Sequence, residues 1–125
     1  MDINMAVNKI LVVEDDPVQQ QRLRDILKST GAQVLAGSNG QEGVALAEKE
    51  SPDLIFMDIV MPGMDGFSAC RQITNNAKTK GIPVVIVSSK HQEADKVWAQ
   101  LQGASAVIAK PYTDQEILDQ VIRYS

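Results

Sequence analysis

Apolar and polar positions divide the chain into five short apolar runs, 9–13, 33–36, 53–57, 84–87 and 106–109, separated by stretches with helical spacing. Within each run the apolar residues are continuous and do not alternate with polar ones, which suits strands covered on both faces, as in a parallel sheet. Asp16 followed by Pro17 predicts the start of the first helix, since the carboxylate can cap free amides and proline at the first helical position forfeits no bond. Leu23, Ile26 and Leu27 then share a face, and Gly31 is expected to end the helix in the left-handed conformation. The alternation returns with Val44, Ala45 and Ala47 before Pro52, with 67–74 after Gly66, with 94–101 before Gly103 and with 113–124. In the fourth helix Ala94, Val97 and Leu101 mark the expected buried stripe, with Trp98 partly exposed beside it. In the last, Thr113 and Glu116 have capping-box spacing, and Ile117, Leu118, Val121 and Ile122 are expected to pack on the sheet. Five β-α units in succession predict an α/β doubly wound (βα)5 fold with a five-stranded parallel sheet.

Composition narrows the picture without changing it. At 125 residues the chain can bury one sizeable core, and 9–125 reads as a single domain with no effector module. Residues 1–8 show no periodicity and are expected to form a flexible leader, within which Met5 is an alternative start. A net charge of −4, with no basic stripe on any helix, argues against binding nucleic acid. No apolar run approaches the roughly 20 residues needed to cross a bilayer, and the leader lacks the features of a secretory signal, so a cytoplasmic protein without membrane insertion is expected. Cys70 is the only cysteine, and it reads as a small buried hydrophobe in a reducing compartment. Met57, Met61 and Met64 read as packing residues.

The polar residues immediately after the apolar runs carry the chemistry, because ligands of such sheets bind beyond the carboxyl ends of the strands. The first run ends in Glu14-Asp15-Asp16, the third in Asp58, the fourth in Ser88-Ser89 and the fifth in Lys110-Pro111. With the flavodoxin-like strand order 2-1-3-4-5, Glu14, Asp15 and Asp58 converge where the winding reverses. Two like charges about 4 Å apart repel by about 4 kcal/mol at an effective dielectric near 20, so the cluster should either raise a carboxyl pKa or recruit a cation. Hard oxygen donors favour Mg2+ over zinc, and Mg2+ readily shares its shell with phosphate. Lys110 supplies a positive charge and Ser88 a hydroxyl donor. Taken singly, each residue is a turn former or a loop charge; it is their coincidence at four strand ends that points to phosphate chemistry. His91, alone beside these residues, reads as a solvated loop residue.

The segments 11–16, 57–66, 83–88 and 103–111 resemble response-regulator receiver domains of two-component signalling, and the resemblance extends over nearly the whole chain. It implies that Asp58 is the phosphoacceptor, Glu14 and Asp15 the acid pair, and the Val60 carbonyl a further ligand of Mg2+. It also implies that Ser88 is the switch hydroxyl, Lys110 the phosphate-contacting lysine, and the bond before Pro111 cis. The phosphoryl donor would be a chemotaxis-type histidine kinase and the reader a downstream motility protein. On this reading the chain is a monomeric phosphoacceptor that assists its own transfer and dephosphorylation and is not an enzyme. Asp95-Lys96-Val97-Trp98 and Gln102-Gly103-Ala104 are similar to single-domain regulators of type IV pilus twitching motility. The chain departs from the family in two respects. Val107 stands where an aromatic switch ring is common, leaving open whether Tyr112 replaces it, and Val60 with Lys90 stand where other side chains tune the lifetime of the acyl phosphate. A phosphate sink for a shared kinase and a phosphorylation-independent interaction module remain alternatives. A flavin module is disfavoured because three acids would repel the cofactor's phosphate, and an aspartyl-phosphate hydrolase because Val60 replaces its second acid.

Overall fold

The structure is a computed structural model and describes residues 7–90 and 92–125. Ten elements alternate along it: β1 (Lys9–Val13), α1 (Pro17–Lys28), β2 (Gln33–Gly37), α2 (Gly40–Glu50), β3 (Leu54–Met57), α3 (Gly66–Asn75), β4 (Val84–Ser88), α4 (Glu93–Leu101), β5 (Ala106–Ala109) and α5 (Asp114–Arg123). The strands form one parallel sheet in the order β2-β1-β3-β4-β5, the doubly wound flavodoxin-like arrangement. In register, Val13 lies opposite Gly37 on one side and Met57 on the other, so β1 and β3 end level with each other. Alternate residues of the strands feed two apolar layers. Ile10, Val12, Phe56 and Val87 pack with Leu27 of α1 and Ile117 of α5, while Leu11, Ile55, Met57 and Ile86 pack with Ala47 of α2, Cys70 of α3 and Ala99 of α4.

Local sequence sets the helix ends. The Asp16 side chain accepts the Gln19 N–H at 2.9 Å, with Pro17 in the first turn, and Gly31 takes φ +84° after α1. At α5 both halves of the Thr113–Glu116 capping box are present. Asp53 precedes β3 rather than opening it. Its carboxylate accepts the Asn8 and Lys9 amides at 2.9 and 3.0 Å, tying the start of β1 to the start of β3. Val7 is buried in the core, so packed chain begins before Lys9; residues 1–6 of the expected leader lie outside the described residues.

The apolar stripe expected for α4 is not buried. Ala94 is exposed, Val97 and Leu101 are 47% and 70% exposed, and Ala99 alone is buried. Helical spacing groups Val97 and Leu101 on one face, but it does not reveal whether any element covers that face, and this nine-residue helix rests at the sheet margin. Trp98 is half exposed as expected, its ring edge-on to Phe67 at 6.4 Å. Ile122 also differs from expectation: Ile117 and Val121 face the sheet, whereas Ile122, one position round the helix, points outward. Cys70 and Met57 are fully enclosed and Met61 nearly so, consistent with packing roles. No helix among the described residues is long and apolar enough to cross a membrane.

Candidate functional site

The level ends of β1 and β3 bring Glu14 and Asp58 together. The Asp58 N–H donates to the Val13 carbonyl and the Glu14 N–H to the Gly37 carbonyl, each at 3.0 Å, so the ladder continues one residue past the apolar runs and fixes both acids. Glu14, Asp15 and Asp58 each offer a carboxylate oxygen, and these atoms all lie within 4.8 Å of one another. Glu14 and Asp58 are buried, while Asp15 is more open to solvent. Asp58 Oδ1 accepts the Ile59 N–H at 2.8 Å. From the end of β5, Lys110 Nζ reaches Glu14 Oε1 at 2.7 Å and Asp58 Oδ1 at 3.5 Å. Its main chain is held by the Lys110 N–H donating to the Ser88 carbonyl at 3.0 Å, and the Lys110–Pro111 bond is cis, as the resemblance implied.

Burial pushes the Glu14 carboxyl up to about 7. The hydrogen bonds from Lys110 and from the Asp16 N–H oppose that rise, and the nearby Asp58 charge adds to it. Glu14 is thus raised chiefly by its burial, and the crowding of the acid cluster adds a lesser push through Asp58. Three carboxylates with no thiol or imidazole among them form a hard-oxygen donor set, which fits a divalent cation of the Mg2+ type.

These groups line a cleft of about 650 Å³. Val60 is on its wall, 55% exposed. Ser88 is completely buried, its Oγ accepting the Lys90 N–H at 3.0 Å, and it is Ser89 that lines the cleft. Val107 packs in the same apolar layer as α2, α3 and α4, whereas Tyr112 is buried in the opposite layer, with α1 and α5. Tyr112 is thus not in the place a ring at Val107 would fill. His91 lies outside the described residues.

Asp16, the expected cap of α1, has a second role in the cleft, and two further cleft residues, Gln19 and Arg22, carry no distinct signal in the sequence. Asp16 gives its amide to Glu14 Oε2 at 3.1 Å while its side chain caps α1. Gln19, one turn into α1, accepts a hydrogen bond from Lys110 Nζ. Arg22 stacks over the Tyr112 ring at 4.9 Å, donates to the Tyr112 carbonyl at 3.2 Å, and approaches Asp114 at 3.8 Å. The one available clue was spacing: residues three apart from the Asp16 cap return to the same face of the helix.

Comparison with known proteins agrees with this geometry. Residues 10–122 match the family described as response regulator receiver domain. Protein PilH of Pseudomonas aeruginosa is 48% identical over 113 residues, covering 90% of this chain and 93% of that protein. The receiver domain of the sensor histidine kinase PA1611 from the same species, solved with a magnesium ion coordinated in its active site cleft, superposes with a TM-score of 0.87 at 30% identity, covering 95% of this chain and 98% of that one. The chemotaxis protein CheY4 of Vibrio cholerae gives a TM-score of 0.89 at 26% identity, over 96% of this chain and all of that one. Strand order, acid cluster and sequence likeness lead to one assignment: the chain belongs to the response-regulator receiver domain family.

Proposed function

We propose that this chain is a single-domain response regulator in which Asp58 accepts a phosphoryl group from a chemotaxis-type histidine kinase. The observation that carries the reading is the enclosure of one carboxylate, Asp58, by two further acids and the Lys110 ammonium at a strand end. A bond forms between an Asp58 carboxylate oxygen and phosphorus as the P–N bond of the kinase phosphoimidazole breaks, and the departing imidazole takes up a proton. Glu14, Asp15, Asp58 and the Val60 carbonyl would hold Mg2+, which when bound offsets charge on the transferring phosphoryl oxygens. Lys110 offsets charge from the β5 side, and Gly66 and the loop before it hold Asp58 in place.

Ser88 is the proposed switch. Its hydroxyl would exchange the Lys90 amide for a phosphoryl oxygen, shifting the loop 88–92 and α4 between two arrangements. The exposed face of α4, with Val97, Trp98 and Leu101, together with α5 would be the surface that changes, read by a downstream protein. Similarity to PilH supports a place in type IV pilus twitching motility, and the same reading takes the chain to act in the cytoplasm as a monomeric phosphoacceptor and not as a turnover enzyme.

Incubation with Mg2+ and a small acyl phosphate, followed by intact-mass measurement and peptide mapping, tests the reading. Wild type should gain one phosphoryl group on Asp58, and Asp58→Asn none. Modification of another residue, or none in wild type, would reject it.

A further inference from the structure

Lys110 is shared among three partners from three parts of the fold. Its ammonium has three protons to donate. One goes to Glu14 Oε1 at 2.7 Å and one to Gln19 Oε1, and Asp58 Oδ1 is a longer ionic contact at 3.5 Å. Two of these partners are carboxylates in the acid cluster; Gln19 is neutral and lies outside it. Glu14 cannot serve Lys110 and a divalent cation with the same lone pairs, and a dication beside the ammonium repels it. Without another acceptor, loading the cluster would release a flexible four-carbon stem toward water.

Gln19 is well placed to prevent that. Its N–H is fixed by the Asp16 side chain, and the Asp16 N–H in turn holds Glu14 Oε2, so one residue sets both Glu14 and the first turn of α1. Lys110 is likewise anchored, through its main-chain bond to Ser88.

We propose that Gln19 is a positioning residue for Lys110: it holds the ammonium at the cleft while Glu14 passes from the lysine to the cation, keeping the charge where the phosphoryl group arrives. This rests on the phosphoacceptor reading above. Gln19 touches neither the phosphoryl group nor the metal in this scheme, and acts only through Lys110. It has a thermodynamic side as well, since a second acceptor lowers the cost of taking Lys110 off Glu14 and so favours cation binding.

The test uses the full chain as wild type, Gln19→Met, Gln19→Glu, Lys110→Met and the double variant Gln19→Met with Lys110→Met. Methionine keeps length and helix propensity but is a poor acceptor, whereas glutamate keeps the acceptor oxygen. Two quantities are read: Mg2+ affinity by calorimetry, and the rate of Asp58 modification at saturating acetyl phosphate and Mg2+. Gln19→Met should slow modification by about tenfold, near the scale of losing one hydrogen bond to a charged group, and should weaken Mg2+ binding by a smaller factor of about threefold, because Lys110 acts on the cation chiefly through Glu14. Gln19→Glu should recover most of the rate. In the Lys110→Met background the Gln19 substitution should change neither quantity. The proposal is overturned if Gln19→Met matches wild type in both, or if it does equal damage with Lys110 already removed. Should wild type bind Mg2+ but never be modified on Asp58, the phosphoacceptor reading falls, while the Mg2+ titrations still decide whether Gln19 acts through Lys110.

Discussion

Gly66 lies directly against the main-chain carbonyl of Asp58, so close that a methyl group at its Cβ position would overlap that oxygen. The Gly66 N–H also donates to the Ile59 carbonyl at 2.8 Å, closing the loop between β3 and α3 on the proposed phosphoacceptor. Any side chain here must push α3 away from Asp58. Gly66→Ala is expected to destabilise the fold by about 1–3 kcal/mol and to weaken Mg2+ binding with it. Thermal melts with and without Mg2+ measure both, and a variant that melts like wild type would refute the role given to this contact.

Asp15 is the more open member of the acid cluster and forms no ion pair with Lys110, whose contacts are to Glu14 and Asp58. Asp15→Asn therefore removes repulsion without breaking a pair. The metal-free variant should be as stable as wild type or slightly more so. Mg2+ at about a hundred times its dissociation constant should stabilise wild type by about 2.7 kcal/mol, and the same concentration should do far less for the variant. Equal Mg2+ responses in denaturant titrations would remove Asp15 from the ligand set.

Burial pushes the Cys70 thiol from its ordinary 9.0 up to about 11, and its Sγ lies 3.4 Å from the Gln102 carbonyl, to which the thiol donates. At pH 8 such a thiol carries about one-hundredth of the usual thiolate, so alkylation of the native protein should be slow and should follow unfolding. The sign of the pH effect follows from the direction of the shift. Because the folded value is raised, the unfolded chain loses its proton first, and this contribution to stability is complete below pH 9 and lost as pH rises through 11. Burial raises the Tyr112 phenol as well, so the comparison must be with Cys70→Ala. The stability gap between wild type and that variant should narrow between pH 9 and 11; a constant gap would contradict the burial argument.

Trp98 touches Phe67 edge-on but is half exposed, whereas Phe56 is fully enclosed at the centre of the sheet. Trp98→Ala should cost about 1 kcal/mol, mostly the aromatic pair, against about 3–5 kcal/mol for Phe56→Ala. Urea unfolding measures both costs, and comparable losses would mean that α4 packs more tightly than its exposure indicates.

What the sequence disclosed depended on how local the cause was. The five apolar runs and the capping signals at Asp16 and Thr113 act within a few residues, and they mark the observed elements to within a residue or two. The acid cluster was legible because parallel strands must end at one edge of the sheet, so residues far apart in sequence share that edge. Exposure of Val97, Leu101 and Ile122 was not legible, since periodicity groups residues on a face without showing what covers it. Nor was the layer that Tyr112 occupies, which depends on the path the chain takes after Pro111. The contact of Gln19 with Lys110 joins two residues 91 positions apart through side chains alone, and no local pattern announces it.

Asp16 serves two structures at once: its carboxylate receives the Gln19 amide that begins α1, and its own amide is given to Glu14. Fraying of that first turn cannot occur without loosening the acid on which the cleft is built. Proton exchange at the Gln19 amide, a probe of helix opening, thereby doubles as a gauge of whether the cleft is assembled.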